Sequence, residues 1–186
     1  MKRRTLYILS AVAALALLVQ TAPAQSPTYL LDGKPISAQL YEAVLLTNLG
    51  IELDNANRPI EAKQKLTEAV RIAPDFPDAH YNLGVVLMRL KEEALAEKHF
   101  EFVVVSRANF PLAWLALGEI RLSRAKYQEA VDTFVDALKR YTEQTWRDHP
   151  DFYHNYGVAL AQLGEFDKAV VQLKVAVRTK GVLPDS

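Results

Sequence analysis

Apolar residues recur every three or four positions through most of the chain, and short polar segments interrupt them. That period places the apolar side chains on one face of an α-helix, so it predicts a series of amphipathic helices. A β-branched run at 103–105 is locally strand-like, but the helical spacing of Ala96 and Phe100 outweighs it. No segment has a convincing strand pattern, and we expect an all-α fold. Eight helices are predicted, at 38–54, 59–72, 77–90, 92–106, 111–123, 127–141, 150–163 and 166–179.

A nine-residue stretch with Pro at its second position and Gly at its ninth occurs at 76–84, at 110–118 and, more loosely, at 149–157. Pro fits the first turn of a helix, where its missing N–H is not needed. The Gly lies inside the helix, where it is costly and should have a packing reason. An Ala follows each Gly twelve positions later, so we expect two small residues to face each other where paired helices cross. The pairs are Gly50 with Ala62, Gly84 with Ala96, Gly118 with Ala130, and Gly157 with Ala169.

The four Gly residues of these pairs are 34, 34 and 39 positions apart. A period of 34 residues is that of the tetratricopeptide repeat, a helix–turn–helix unit. Residues 43–183 therefore resemble a tetratricopeptide-repeat protein, and the resemblance implies a right-handed α-solenoid of four helix hairpins. An unrelated helical bundle with accidental spacing is the alternative. The repeats are expected at 43–76, at 77–110, at 111–144 with a linker to 149, and at 150–183, followed by a tail at 184–186.

The sequence departs from the family pattern at a few places. The Pro that closes a repeat is present only as Pro74. Arg121 stands where an apolar residue is usual, and we expect Leu122 to take over its packing role. Additional residues separate the third and fourth repeats. None of these departures breaks the period of small and aromatic residues, so the resemblance extends over all four units.

The N-terminus has the layout of a secretory signal peptide. Basic residues at 2–4 precede an apolar run at 6–19, and Ala22 and Ala24 form a small-x-small cleavage site. We predict that residues 1–24 are removed and that the protein is exported, to the periplasm or the medium if the source is bacterial. An uncleaved anchor is the alternative, although the run is shorter than the roughly 20 residues that span a bilayer. Residues 25–42 should form a loosely packed lead-in and the start of the first helix.

Composition and charge argue against several kinds of chemistry and partner. The chain has no Cys, so it can form no disulfide and has no thiol that could act as a nucleophile. Loss of the signal peptide would leave 19 basic residues against 22 acidic ones. A weakly negative protein without basic clusters is a poor ligand for nucleic acid or for an anionic membrane surface. We therefore predict neither of these partners, and no membrane span in the mature chain.

The sequence also lacks a recognisable catalytic or cofactor motif. The four His residues do not have the spacing of metal ligands, and His80 is expected to be a packed ring with one paired nitrogen. No Gly-rich phosphate loop and no nucleophile elbow occurs. We predict a protein that is not an enzyme and that binds no cofactor or metal, with an unrecognised hydrolytic activity as a remote alternative.

The family resemblance implies that the first helix of each repeat lines a concave groove, which would bind a partner protein or an extended peptide. Asn48, Asn82 and Asn155 share one repeat position, where an amide could pair with a peptide backbone. The alternative is that Asn is simply tolerated at a solvent-facing position. Tyr81 is expected to anchor the ligand without belonging to the core. The predicted groove residues are Asn48, Ile51, Tyr81, Asn82, Val85, Met88, Leu115, Glu119, His154, Asn155 and Val158.

The last predicted helix is apolar on more than one face, because it contains Val170, Val171, Leu173, Val175 and Val177. Either residues 182–183 fold back over this surface, or it is a docking or homodimer face. The sequence thus favours a non-enzymatic interaction module or assembly scaffold that uses its groove. A structural subunit that associates through its C-terminal face is the second hypothesis.

Overall fold

The computed structural model describes residues 29–31, 33–107, 110–146 and 149–179. The expected signal peptide at 1–24 and the residues at 182–183 lie outside this part of the chain. The chain divides after Ser37 into two compact units, a first one that contains a β-hairpin and a second one that contains the helices.

The first unit contains two short strands, which corrects the expectation of no strand. β1 is Tyr29–Leu31 and β2 is Lys34–Ile36, and they pair antiparallel with Tyr29 opposite Ile36. Gly33 adopts φ +75°, a conformation that suits glycine in a tight hairpin turn. Strands of three residues are too short to display a clear alternation of apolar and polar positions, which is why the pattern missed them.

The second unit is an all-α solenoid of paired antiparallel helices. Eight long helices form four hairpins, α1 with α2, α3 with α4, α5 with α6, and α8 with α9, and a short helix α7 precedes the last pair. The helices are α1 Ala38–Asn55, α2 Pro59–Ile72, α3 Pro77–Arg89, α4 Glu93–Ser106, α5 Pro111–Ser123, α6 Tyr127–Arg140, α7 Glu143–Trp146, α8 Pro150–Gln162 and α9 Phe166–Thr179.

The turn inside each hairpin has the same backbone conformation. Asn57, Lys91, Ala125 and Gly164 occupy equivalent positions, and each adopts a positive φ. The next residue donates its backbone N–H to a carbonyl five positions earlier, as Glu92 does to Leu87 at 2.9 Å. This is the Schellman ending of a helix, and it satisfies carbonyls that the last turn would otherwise leave unpaired.

Each repeat Gly lies under a large side chain, which corrects the expectation that its main contact is Ala; a Cβ on Gly157 would in addition lie 3.2 Å from the Ala169 carbonyl oxygen. A Cβ built on Gly84 would lie 2.7 Å from Phe100 Cε1, and one on Gly50 would lie 2.6 Å from Leu66 Cγ. The Ala residues twelve positions after each Gly are buried, but the residue sixteen positions later is the one that covers the Gly. The large residues are Leu66, Phe100, Phe134 and Leu173.

The segment between the third and fourth repeats is anchored in the core. Trp146, the last residue of α7, is fully buried. Its ring stacks on Phe152 with 3.9 Å between centroids and meets Tyr141 edge-on at 5.6 Å. The extra residues therefore insert an aromatic side chain beside α8 and fill space between two hairpins.

The unusual Arg121 is explained by a buried acid in the preceding repeat. Glu97 is 4% exposed, and Arg121 Nε and Lys126 Nζ lie 3.4 and 2.8 Å from its carboxylate, with Arg124 also paired to it. Burial alone would raise the pKa of Glu97, but the hydrogen bond from Lys126 and the nearby positive charges outweigh this effect and hold the pKa below its usual value. Leu122 packs at the edge of the core.

An ion pair of opposite polarity occupies the preceding junction. Lys63 Nζ lies 2.6 Å from the Glu92 carboxylate, between the first and second repeats. Lys63 has the same repeat position as Glu97, and Glu92 has the same position as Lys126. The two junctions therefore use the same geometry with the charges exchanged.

Candidate partner-binding groove

The first helices of successive repeats are adjacent, so their equivalent faces form one continuous surface. α1 contacts α3, α3 contacts α5, and α5 contacts α8. None of the eleven predicted groove residues is fully buried. Four of them are exposed, namely Asn48, Val85, Glu119 and His154, and the other seven are half-buried.

A pocket of about 200 Å³ opens between α1 and α3. Four predicted groove residues line it, Ile51, Tyr81, Asn82 and Val85. The remaining lining residues are Asp54, Asn55, Leu66 and Val86. Leu66 and Val86 were not predicted as groove residues, because their spacing marks them as core residues. No sequence signal shows that a core side chain also forms the floor of a pocket. The other seven predicted residues do not line this pocket.

Tyr81 belongs partly to the core, which corrects the expectation that it does not. Its ring meets Phe110 edge-on with 4.7 Å between centroids and lies 5.9 Å from Phe100. Burial raises the pKa of the phenol, and the negative charge of Glu119 adds to this effect. Tyr81 therefore links the groove wall to the hydrophobic core, and truncating it would disturb both.

The amide row is partly engaged within its own helix. Asn82 Nδ2 donates a hydrogen bond of 2.7 Å to the backbone carbonyl of Asp78. An amide has two donors and an acceptor, so one such bond leaves capacity for a ligand. Asn48 is exposed and Asn155 is half-buried, so the three amides do not share one environment.

The charges at the rim of the groove differ between its two halves. Asp54 pairs with Arg89 at 2.8 Å, and Asp78 pairs with Arg107 at 2.8 Å. In the other half, Glu119 is exposed overall, but neighbouring atoms partly desolvate its carboxyl and raise its pKa, and the negative charge of Asp151 raises it further. Asp54 and Asp78 are thus paired with arginines, whereas Glu119 on α5 lies close enough to Asp151 on α8 to feel its charge.

Two His side chains are in contact between the two helices of the second repeat, and the sequence did not predict this contact. His80 Nδ1 lies 3.0 Å from His99 Nδ1, and His80 Nε2 lies 2.9 Å from the Pro74 carbonyl oxygen. Both nitrogens of His80 are therefore paired, rather than the one expected, and the ring stacks on Phe102 at 3.9 Å. Desolvation lowers the pKa of His99 to about 4, and the charge of His80 adds to this effect.

These polar groups do not form a metal-binding arrangement in the part of the chain that the structure describes. There, no three His, Asp or Glu side chains come together as a metal site. Within the same residues, no helix is both long enough and apolar enough to cross a bilayer.

Similarity to known proteins places this architecture in a family. The family model described as tetratricopeptide repeat matches residues 47–109 and 115–180. Human tetratricopeptide repeat protein 7A is 35% identical over 79 residues, which are 42% of this chain but only 9% of that protein. The chain therefore spans a small part of this relative.

Solved structures show the same fold at low sequence identity. A MamA chain from Desulfovibrio magneticus RS-1, which runs from residue 41 to the end of that protein, superposes with a TM-score of 0.66 at 22% identity, covering 74% of this chain and 75% of the solved one. YrrB superposes with a TM-score of 0.64 at 18% identity, covering 74% of this chain and 68% of YrrB. With helix hairpins, repeat glycines and a matching family model in agreement, the chain belongs to the tetratricopeptide repeat family.

Proposed function

We propose that this protein is a non-enzymatic interaction module or scaffold that binds an extended segment of a partner protein along its groove. The pocket between α1 and α3 carries this proposal, because it brings Ile51, Tyr81, Asn82 and Val85 together at the predicted surface. Its apolar and amide side chains suit a peptide, whose side chains can rest on apolar surface while its backbone forms hydrogen bonds. YrrB is described as having an unusual peptide-binding site, which supports such a ligand for this fold.

The rim charges favour a ligand with a Lys or Arg side chain toward the α5–α8 end of the groove. The pKa of the Glu119 carboxyl is raised there, first by desolvation and then by repulsion from the negative charge of Asp151. A cation bound beside them would relieve this repulsion. In the α1–α3 half the arginines already balance the acids, so the ligand segment bound there should be uncharged.

The decisive variant is Val85→Glu, because Val85 lines the pocket and is partly exposed. The matched control is Val105→Glu on α4, since Val105 is 84% exposed and lies outside the groove. Partners captured from the native compartment by the full chain would be titrated against both variants. We expect the first change to weaken binding at least about tenfold and the second to leave it unchanged.

Equal affinities of the two variants and the unaltered chain would overturn the groove proposal. Circular dichroism of each variant shows whether the solenoid is intact. A titration of Glu119→Gln then tests the charge preference, because binding of a basic peptide should weaken severalfold at low salt and less at high salt. If Glu119→Gln binds the basic peptide with unchanged affinity, the preference for a basic ligand side chain is wrong, but the groove proposal is unaffected.

The proposal includes export. The layout of residues 1–24 supports removal of a signal peptide, after which the groove would meet partners outside the cytoplasm.

A further inference from the structure

The outward face of the first repeat exposes apolar residues at positions that the other repeats bury. Leu45 is 51% exposed, whereas the equivalent Ala79, Ala113 and Phe152 are fully buried. Leu49 is 40% exposed, whereas the equivalent Leu83, Leu117 and Tyr156 are all buried. In the second repeat this face packs on the preceding one, as the contact of Ala79 with Ala69 shows. Leu45 and Leu49 therefore form the surface that would receive a preceding repeat.

The last repeat of the described array has the complementary face. Val170 is 48% exposed, whereas the equivalent Val131 and Glu97 are buried. Val177 is 37% exposed, whereas the equivalent Val104 is buried and the equivalent Leu138 is half-buried. In the inner repeats these positions face the next hairpin, so Val170 and Val177 form the surface that would receive a following repeat.

The two end faces also carry opposite charges. Glu52 is exposed in line with Leu45 and Leu49 on α1, where the other repeats bury apolar residues. Lys174 is exposed in line with Val170 and Val177 on α9, at the repeat position of Glu101. The Glu101 carboxylate lies 2.7 Å from Arg121 of the next repeat, so a side chain at this position reaches across a junction.

We propose that copies of this chain stack end to end, with the Val170–Lys174–Val177 face of one copy on the Leu45–Leu49–Glu52 face of the next. The contact would repeat the geometry of the internal junctions, in which the Glu101 position meets the Arg121 position, so Lys174 would lie opposite Leu53 and within reach of the adjacent Glu52. Because the two faces differ, the association is head-to-tail and can continue along a line of copies. It leaves the groove open and is independent of what the groove binds.

The test uses two variants of the full chain, each with one face blocked by a charge. Leu45→Glu blocks the first face and Val170→Glu blocks the second, and Val105→Glu serves as the exposed control. Analytical ultracentrifugation over about a hundredfold range of concentration should show growing assemblies for the unaltered chain and the control. We expect each blocked variant alone to associate at least about tenfold more weakly.

An equimolar mixture of the two blocked variants distinguishes head-to-tail stacking from a symmetric dimer. Each variant keeps the face that the other lacks, so the mixture should form a dimer that grows no further. If Leu45→Glu dimerises alone and Val170→Glu does not, the contact is a symmetric C-terminal dimer and the proposal fails. A monomeric unaltered chain also overturns it, as would occur if other segments of the chain cover the end faces.

The charge pair gives a second measurement on folded protein. Glu52→Lys should weaken association, and a partner copy with Lys174→Glu should restore it in a mixture of the two. Association that is insensitive to Leu45→Glu, Val170→Glu and this exchange would place the contact elsewhere and contradict the proposal.

Discussion

The Phe100 ring lies directly over Gly84, so that a Cβ on Gly84 would be 2.7 Å from Phe100 Cε1. The repeat glycine is therefore required by a large side chain on the second helix of the hairpin. The same relation recurs in the other three repeats, where the covering residue is Leu or Phe.

We expect Gly84→Ala to lower the free energy of unfolding by about 1–3 kcal/mol, because the ring or the helix must shift to admit the new methyl group. Gly84→Leu should cost more. Urea denaturation monitored by circular dichroism measures both, with Val105→Ala as an exposed control. A stabilising Gly84→Ala would mean that helix propensity outweighs the contact.

Glu97→Gln should destabilise the solenoid by about 3 kcal/mol, because it leaves Arg121, Arg124 and Lys126 around a neutral group. Glu101→Gln is the matched control, since Glu101 also bonds Arg121 but its side chain is 46% exposed. The folded pKa of Glu97 is depressed, so its stabilisation is present above the unfolded pKa, about 4.5, and is lost as pH falls through the folded pKa. Equal effects of the two substitutions would contradict a buried role for Glu97.

The histidine pair should weaken the fold in mild acid. The pKa of His99 falls from 6.5 in the unfolded chain to about 4 in the folded one, so the unfolded chain binds the proton first. Stability should decline as pH falls from about 6.5 to 4, by about 1–2 kcal/mol at pH 5. Desolvation also lowers the pKa of His80, partly offset by its bond to Pro74 and the charge of Asp75.

Melting temperatures at pH 7 and pH 5 would test this dependence. His99→Gln keeps a donor for His80 Nδ1 but removes one titrating ring, so its melting temperature should fall less between the two values. The same fall in the variant and the unaltered chain would assign the pH dependence to other groups.

Export predicts a defined N-terminus. Protein recovered from outside the cytoplasm should begin at Gln25 or within a few residues of it, because Ala22 and Ala24 form the predicted cleavage site. N-terminal sequencing or intact-mass measurement decides this. A chain that retains Met1 or Lys2 would indicate an uncleaved anchor.

The helices could be predicted because their signals are local. Pro59, Pro77, Pro111 and Pro150 each begin a helix, and the apolar period placed every long helix end within one residue. The tight turns follow from the same repeat, although the side chain of Ala125 gives no indication that this residue adopts a positive φ.

The rest depends on contacts between residues far apart in the chain. His80 and His99 are 19 positions apart, and Glu97 and Arg121 are 24 apart. The spacing of neither pair indicates a contact, because the repeat position of a residue does not show which side chain of another helix it meets. The sequence predicted that the groove residues share one surface. The additional contact of Tyr81 with the core depends on Phe110, which directly precedes the first helix of the next repeat.

The exchanged charges at the first two junctions have a consequence for misfolding. A chain that skipped its second repeat while folding would stack the first repeat on the third. Lys63 would then meet Lys126 instead of Glu92, and the like charges would repel each other at a partly buried position. Repeats of similar shape are prone to pair with the wrong neighbour, and these two lysines penalise that error. The exchanged charges thus favour the pairing of each hairpin with its correct neighbour.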